Sequence, residues 1–258
     1  MSKGFFLGLG RRKRRLTIER SLTTLIAQAP ALAQMDDAAY AGFCRLWQDA
    51  NNAVKDAIYR QDFNSRRFTR EHFEQDWGAQ STLFMADILP FIHDKLLKHY
   101  RRQDVLRAID VGAASCFGTR LLATLHASHF VYSRMEVDAI DYVPDRARWV
   151  MATVPEVNYQ VKDLYDLPPK SWDIVVCSHV IEHVPEPEKF IAKLREICRG
   201  FAFVFSPYNE NPLIPGHINT ITEVDYAPLP CETHLIKSMG WHPDKPDDLC
   251  ILAVIDCR

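Results

Sequence analysis

The spacing of apolar residues changes near residue 104. Upstream, Leu22, Leu25, Ile26 and Leu32 recur at helical spacing. Tyr40, Phe43, Leu46 and Trp47 do the same across an alanine-rich stretch, and the style continues from Ala53 to Tyr59. Such recurrence every three or four residues predicts amphipathic helices. Residues 61–80 are polar and aromatic, with Phe63, Phe68, Phe73 and Trp77 set among charges. Residues 81–100 return to a helical pattern in which Pro90 predicts a kink or break. Downstream the texture becomes short apolar runs alternating with amphipathic ones. That spacing predicts strands over 106–112, 134–142, 156–163, 172–179, 200–207, 234–239 and 250–257. It predicts helices over 117–127, 144–152 and 186–199, with a short one at 222–228.

Repeated strand–helix–strand units with apolar strands predict an α/β fold. The expected architecture is a Rossmann-like doubly wound sheet, mostly parallel, covered by helices on both faces and preceded by a helical N-terminal region. Between the last two strands, Met239 to Asp248 is turn-rich with no long helix. The pair is therefore expected to form an antiparallel hairpin, giving a reversed strand at the sheet edge. Three segments follow from this pattern: a basic tail over 1–20, a helical lid or cap region over 21–103, and a sheet domain over 104–258.

Composition narrows the class. The chain has 258 residues, 47% hydrophobic and 25% charged, with a formal net charge of −2. No whole-molecule field favours nucleic acid or membrane, and no apolar run approaches the ~20 residues of a membrane-spanning helix. The seven cysteines are scattered without a C-x-x-C pair. That pattern points to reduced thiols in a cytoplasmic protein rather than to disulfides or structural zinc. The run Arg11-Arg-Lys-Arg-Arg15 follows a mildly apolar start. It reads as a solvated tail, or as a peripheral contact of residues 1–15 with nucleic acid or with anionic lipid at the inner face of a membrane.

The chemistry concentrates at strand ends. Leu106 to Val111 is a buried-strand pattern that runs through Asp110 into the small-residue turn Gly112-Ala-Ala-Ser-Cys-Phe-Gly118 and then a helix. A strand turning sharply into a helix gathers free N–H groups and a carboxylate at one spot, as nucleotide-like ligands require. Ala114 and Cys116 stand where a glycine-rich loop carries glycine. The second strand ends at Asp141-Tyr142, with Asp141 placed to accept two ribose hydroxyls. The third ends at Asp163-Leu164, an acceptor for an exocyclic amine beside an apolar surface for a base. The fourth runs Trp172-Asp-Ile-Val-Val-Cys-Ser-His-Val-Ile-Glu-His-Val-Pro-Glu-Pro-Glu-Lys-Phe190.

These four signals, in this order, resemble class I S-adenosylmethionine-dependent methyltransferases over residues 104–258. The Glu182-His-Val-Pro185 block is the most specific match. The resemblance implies S-adenosylmethionine as cofactor. Asp110, Gly112, Ala113, Ala114 and Gly118 would line its methionine and ribose portion, Asp141 would bind the ribose, and Tyr142 would flank the adenine. Asp163 and Leu164 would meet the adenine, while Ser178 and His179 would close the pocket beside the sulfonium. It also implies methyl transfer by direct displacement to an oxygen, or a nitrogen, of a small-molecule, lipid-linked or glycan acceptor. His183, with Glu182, is the candidate base, because imidazole exchanges protons near neutral pH. The segment Tyr59 to Trp77, with Phe63 and Phe73, is a candidate lid, and Pro207 to Thr220 a candidate acceptor wall.

No metal belongs to that leading reading. In a second one, small-RNA 3′-end methyltransferases and some quinone-pathway O-methyltransferases look similar at His179-Val-Ile-Glu-His183. They hold a divalent metal with Glu-x-x-Glu-His and distal residues. His179 stands at the first Glu, so His179, Glu182, His183 and His217 become candidate ligands for a metal-assisted RNA 2′-O-methyltransferase. A non-catalytic cofactor-binding scaffold with a decayed glycine loop is a third reading. A nicotinamide oxidoreductase is disfavoured by Ala114 at the second glycine of G-x-G-x-x-G.

Overall fold

The computed structural model describes residues 36–62, 78–129 and 132–258. The chain divides into two compact units, residues 1–64 and 65–258. In the first, the described residues form one helix, α1 (Asp37–Asp62), whose start is capped by Asp36 Oδ1 accepting the Ala39 N–H at 2.8 Å. The basic tail and the segment 63–77 lie outside the described residues, as does the side chain of Tyr59.

The second unit opens with α2 (Gly78–His99) and alternates from there: β1 (Val105–Val111), α3 (Phe117–Leu125), β2 (Arg134–Asp141), α4 (Ala147–Thr153), β3 (Asn158–Val161) and β4 (Trp172–Ser178). It finishes with α5 (Pro187–Ile197), β5 (Cys198–Pro207), β6 (Cys231–Ile236) and β7 (Cys250–Asp256). Helix α2 shares this unit with the sheet instead of belonging with the helices upstream. It buries Phe84, Met85, Ile88, Ile92 and Leu96, an apolar stripe that needs the sheet unit for cover. Pro90 sits inside α2 without ending it. The proline faces solvent, where water can serve the carbonyl that its missing N–H leaves free.

Seven strands order as β3-β2-β1-β4-β5-β7-β6. β1 to β5 pair in parallel, and β7 runs antiparallel to both β5 and β6. The reversed strand therefore lies one place in from the edge, and β6 forms the edge itself. Central strands are apolar on both faces: Ile109, Val175, Val176, Phe203 and Val204 are fully buried. Each such side chain contributes about 1.5–3 kcal/mol of burial, which is why these runs do not alternate with polar residues. Edge strand β3 is shorter than its predicted span, as befits a strand paired on one side only. The expected short helix near 222–228 is a single 3₁₀ turn, Glu223–Asp225, closed by a reciprocal Thr222–Asp225 capping box. All seven cysteines are free thiols. Among the described residues, no helix is long and apolar enough to cross a membrane.

Candidate active site

Parallel register brings the carboxyl ends of β1, β2 and β4 together. Asp110 lies opposite Ala139 and Val176, one residue before the β1 turn. The turn is built from left-handed residues: Gly112 has φ +77°, Ala114 +48° and Cys116 +59°. The two positions where glycine is missing thus adopt the conformation that glycine favours, at about 1–2 kcal/mol each. The loop holds this shape through backbone bonds. Gly112 and Ala113 both donate to the Ile140 carbonyl, and Cys116 donates to Ala113. Gly112 also admits a close approach, since a Cβ there would lie 2.4 Å from Val180 Cγ2.

Two acids anchor the turn. Asp141 accepts the Ala114 N–H at 3.0 Å through one oxygen and the Val143 N–H at 2.9 Å through the other. Each oxygen keeps a further lone pair for a ligand hydroxyl. Asp110 accepts the Thr119 hydroxyl at 2.5 Å beneath the loop. Burial pushes its carboxyl up to about 6, against the lowering effect of the Thr119 bond, and nearby Asp141 adds to the rise. Gly118 donates to Ser81 Oγ on α2 at 3.0 Å, which seats α2 against the loop. Ser115 Oγ is buried without a hydrogen-bond partner.

The remaining expected cofactor residues are placed unevenly. Tyr142 is exposed at the end of β2. Asp163 is exposed, and its Oδ1 caps the turn Leu164–Asp166 by accepting the Tyr165 N–H. Leu164 is buried in the core, so its side chain has little face to offer a base. Ser178 Oγ lies 3.2 Å from Nδ1 of His179. The His179 ring stacks on Phe84 at 3.6 Å, meets Phe205 and Trp241 at 5.3 and 5.6 Å, and has Cys250 Sγ 3.8 Å from Nε2. Burial holds its imidazole well below the usual histidine range, aided by repulsion from His217 and His183, so it is neutral.

A second constellation follows β4. Glu182, His183 and His217 each present a ligand atom, all within 4.8 Å of one another. His179 is not in this group: its ring belongs to the aromatic stack, and the expected four-residue set contracts to three. The contact is made by backbone bonds across two loops. Ile218 and Asn219 N–H groups donate to the Glu182 carbonyl, and the Asn219 amide donates to the carbonyls of Ile181 and Val184. His183 is exposed and its Nδ1 donates to the Gly216 carbonyl at 2.8 Å, which leaves the Nε2 lone pair free. Glu182 is 1% exposed, and neither carboxylate oxygen has a hydrogen-bond partner. Burial pushes it up to about 8, against the lowering effect of its own backbone N–H, with a further rise from Glu210.

Several residues of this region carry no sequence motif. Phe84 and Ser81 come from α2, Glu210 from the loop after β5, and Trp241 from the β6–β7 connection. Phe84 falls in the helical pattern of 81–100, and Glu210 in the Pro207–Thr220 loop, a candidate acceptor wall. Nothing local in the sequence distinguishes Glu210 or Trp241.

A family model described as a methyltransferase domain matches residues 109–203. A ubiquinone biosynthesis O-methyltransferase of Neisseria meningitidis is 28% identical over 134 residues, covering 50% of this chain and 55% of that protein. A Coxiella burnetii protein of the same name is 28% identical over 167 residues, covering 62% and 68%. The chain thus spans little more than half of the Neisseria relative's length. Among solved structures, a chain from the Haloferax volcanii complex of the Trm112 methyltransferase activator with a methyltransferase aligns at TM-score 0.51 and 15% identity, over 74% of this chain and 99% of that one. The citrinin polyketide synthase CMeT domain aligns at 0.51 and 14%, over 81% and 57%. The [4+2]-cyclase SpnF aligns at 0.50 and 10%, over 66% and 80%. A cyclase on this architecture means that fold alone does not fix the reaction.

Proposed function

We propose that this chain, which carries a class I S-adenosylmethionine-dependent methyltransferase domain, transfers a methyl group to an oxygen of a small-molecule acceptor. The observation that carries the reading is the strained, thrice left-handed β1 turn held by Asp141 beside the buried Asp110. Left-handed conformations at Ala114 and Cys116 persist only where surrounding structure over-determines them, and a ligand cradle is a reason to do so. The O-methyltransferase names of the curated relatives support oxygen as the attacking atom.

S-adenosylmethionine, when bound, supplies a methyl group already activated by the sulfonium charge. The chain's own residues hold, orient and deprotonate. Asp141 has the free lone pairs to take ribose hydroxyls while it fixes the loop. Gly112 lets Val180 pack directly against the turn, which helps to fix its shape. His183, with Nδ1–H tied to the Gly216 carbonyl, presents Nε2 to receive the acceptor's proton. Phe84, His179 and Trp241 form an apolar wall that excludes water from the transfer. The decisive experiment is calorimetric titration with S-adenosylmethionine and S-adenosylhomocysteine, followed by transfer of labelled methyl to a panel of phenols and matched amines. Binding with transfer to phenols is the expected result. Failure of both ligands to bind at millimolar concentration would sink the reading, and binding without turnover of any acceptor would favour a scaffold.

A second reading is favoured by one observation, the buried Glu182 carboxylate with both oxygens unpartnered beside two imidazoles. A buried polar group without a partner is costly, and a cation held by Glu182, His183 and His217 would satisfy it. One carboxylate and two nitrogens suit zinc better than magnesium. Such an ion would lower the pKa of an acceptor hydroxyl, and His183 would then be a ligand instead of the base. Chelator-treated protein assayed before and after adding zinc or magnesium separates the two. Full activity without metal supports the imidazole base.

A further inference from the structure

We propose that Glu210 is a positioning residue for the cation cluster, orienting His217 from behind; the inference rests on the second reading above. Glu210 stands on the loop after β5 and is not itself in the cluster of ligand atoms. Both of its oxygens are committed. Oε1 accepts the Ile214 N–H at 3.1 Å, and Oε2 accepts Nδ1–H of His217 at 2.5 Å. The two side chains are 10% and 6% exposed, so water has little access to the pair. A proton fixed on Nδ1 leaves the lone pair of the neutral ring on Nε2. A carboxylate behind an imidazole fixes the ring's tautomer and orientation, and it raises the donor strength of the opposite nitrogen.

The rest of the pocket leaves the ring little freedom. His183 meets it edge to face at 4.6 Å, and Trp241 stacks on it at 5.7 Å. The Gly216 carbonyl does for His183 what Glu210 does for His217, since each takes Nδ1–H. Both imidazoles are thereby set to the same tautomer before any ion arrives, beside a carboxylate that lacks a partner. Two imidazoles set in this way and one unpartnered carboxylate form an ion site that is organised in advance.

The experiment measures the affinity of the whole protein for Co²⁺ and Zn²⁺ alone, by competition with a chromophoric chelator, together with the visible absorption of the Co²⁺ form. Wild type, Glu210→Ala and Glu210→Gln are compared, with S-adenosylhomocysteine affinity measured in parallel. The expected result is wild-type binding, weakened about 10–100-fold in Glu210→Ala. Glu210→Gln, which keeps an oxygen to accept Nδ1–H, should recover part of the loss, and S-adenosylhomocysteine affinity should stay unchanged. Wild-type metal binding with both variants equal to it in affinity and spectrum overturns the role of Glu210 alone. Loss of metal and S-adenosylhomocysteine affinity together also overturns it, because the effect would then be general misfolding. If Glu210→Ala does not fold, Glu210→Gln decides: weaker Co²⁺ binding with an altered spectrum supports the role, and wild-type values refute it. Absence of metal binding by wild type overturns the cation reading and this inference with it.

Discussion

Replacing Gly112 with alanine tests whether the β1 turn is as tightly determined as its geometry implies. Gly112 has φ +77°, a conformation that costs an L residue about 1–2 kcal/mol. The added Cβ would lie 2.4 Å from Val180 Cγ2, far inside the ~3.5–4.0 Å of a normal carbon contact. Overpacking of this kind costs about 1–3 kcal/mol, so Gly112→Ala should destabilise by about 2–5 kcal/mol in all. Val180→Ala removes the clash but not the backbone strain. The double variant should therefore be more stable than the sum of the two singles by about 1–3 kcal/mol. Urea unfolding followed by circular dichroism and by tryptophan fluorescence gives the three free energies and checks two-state behaviour. The same cycle reads function, because Val180 leads directly into the Ile181–His183 turn. Pushing Val180 aside should weaken S-adenosylhomocysteine binding, and Val180→Ala should restore it. A coupling energy within about 0.5 kcal/mol of zero would refute the argument.

Three further outcomes follow from other residues. The Glu182 carboxyl is raised from 4.5 to about 8 by burial, so the folded chain keeps a proton that the unfolded chain releases between those values. Stability of metal-free protein should fall as pH rises through that window, by up to about 1.4 kcal/mol per pH unit, and Glu182→Gln should flatten the dependence; an unchanged slope in urea midpoints would count against it. Asp141→Asn retains one acceptor oxygen where two N–H groups now donate, so calorimetry should find S-adenosylhomocysteine binding weakened by about tenfold or more, ~1.4 kcal/mol. Lys237 donates to the carbonyls of His242, Lys245 and Asp248, gathering the β6–β7 connection around one ammonium. Lys237→Met should loosen that loop, expose the buried Trp241 and shift tryptophan emission to the red, while an unmoved spectrum would place the loop's stability elsewhere.

Strand and helix positions were legible because their signals are local and repeated. Each buried strand is an apolar run bounded by turn residues, and all seven strands lie within about three residues of their predicted limits. The position of the β1 turn was legible for a different reason, its frame of glycines and small residues, but the left-handed conformation of Ala114 was not. What could not be read depends on contacts distant in sequence. The stripe of helix α2 says only that it is covered and not by what, so periodicity alone does not place it with the sheet. The Gln80 amide donates to the Gly240 carbonyl across 160 positions, and no periodicity reports that pairing. Leu164 follows β3, where an apolar side chain can meet a ligand or complete the core, and its burial in the core is not visible in its sequence position.

His179 shows how one substitution alters the chemistry of the whole cluster. A carboxylate at that place would be unstable against Phe84, since burying an unpaired charge on an aromatic face is costly. A neutral imidazole stacks there comfortably, with Ser178 near one nitrogen and Cys250 near the other. That comfort removes it from the ligand set, and its backbone is left-handed, with φ +54°. The cluster that remains has one carboxylate and two nitrogens where the Glu-x-x-Glu-His pattern would supply another acid. For a cation bound there, fewer hard oxygens would shift the preference from magnesium toward zinc and its neighbours. They also lower the negative charge that the empty site must tolerate, which lets Glu182 remain buried without a cation by holding a proton. Ion and proton then compete for the same carboxylate, and cation affinity should rise with pH across the range in which Glu182 ionises.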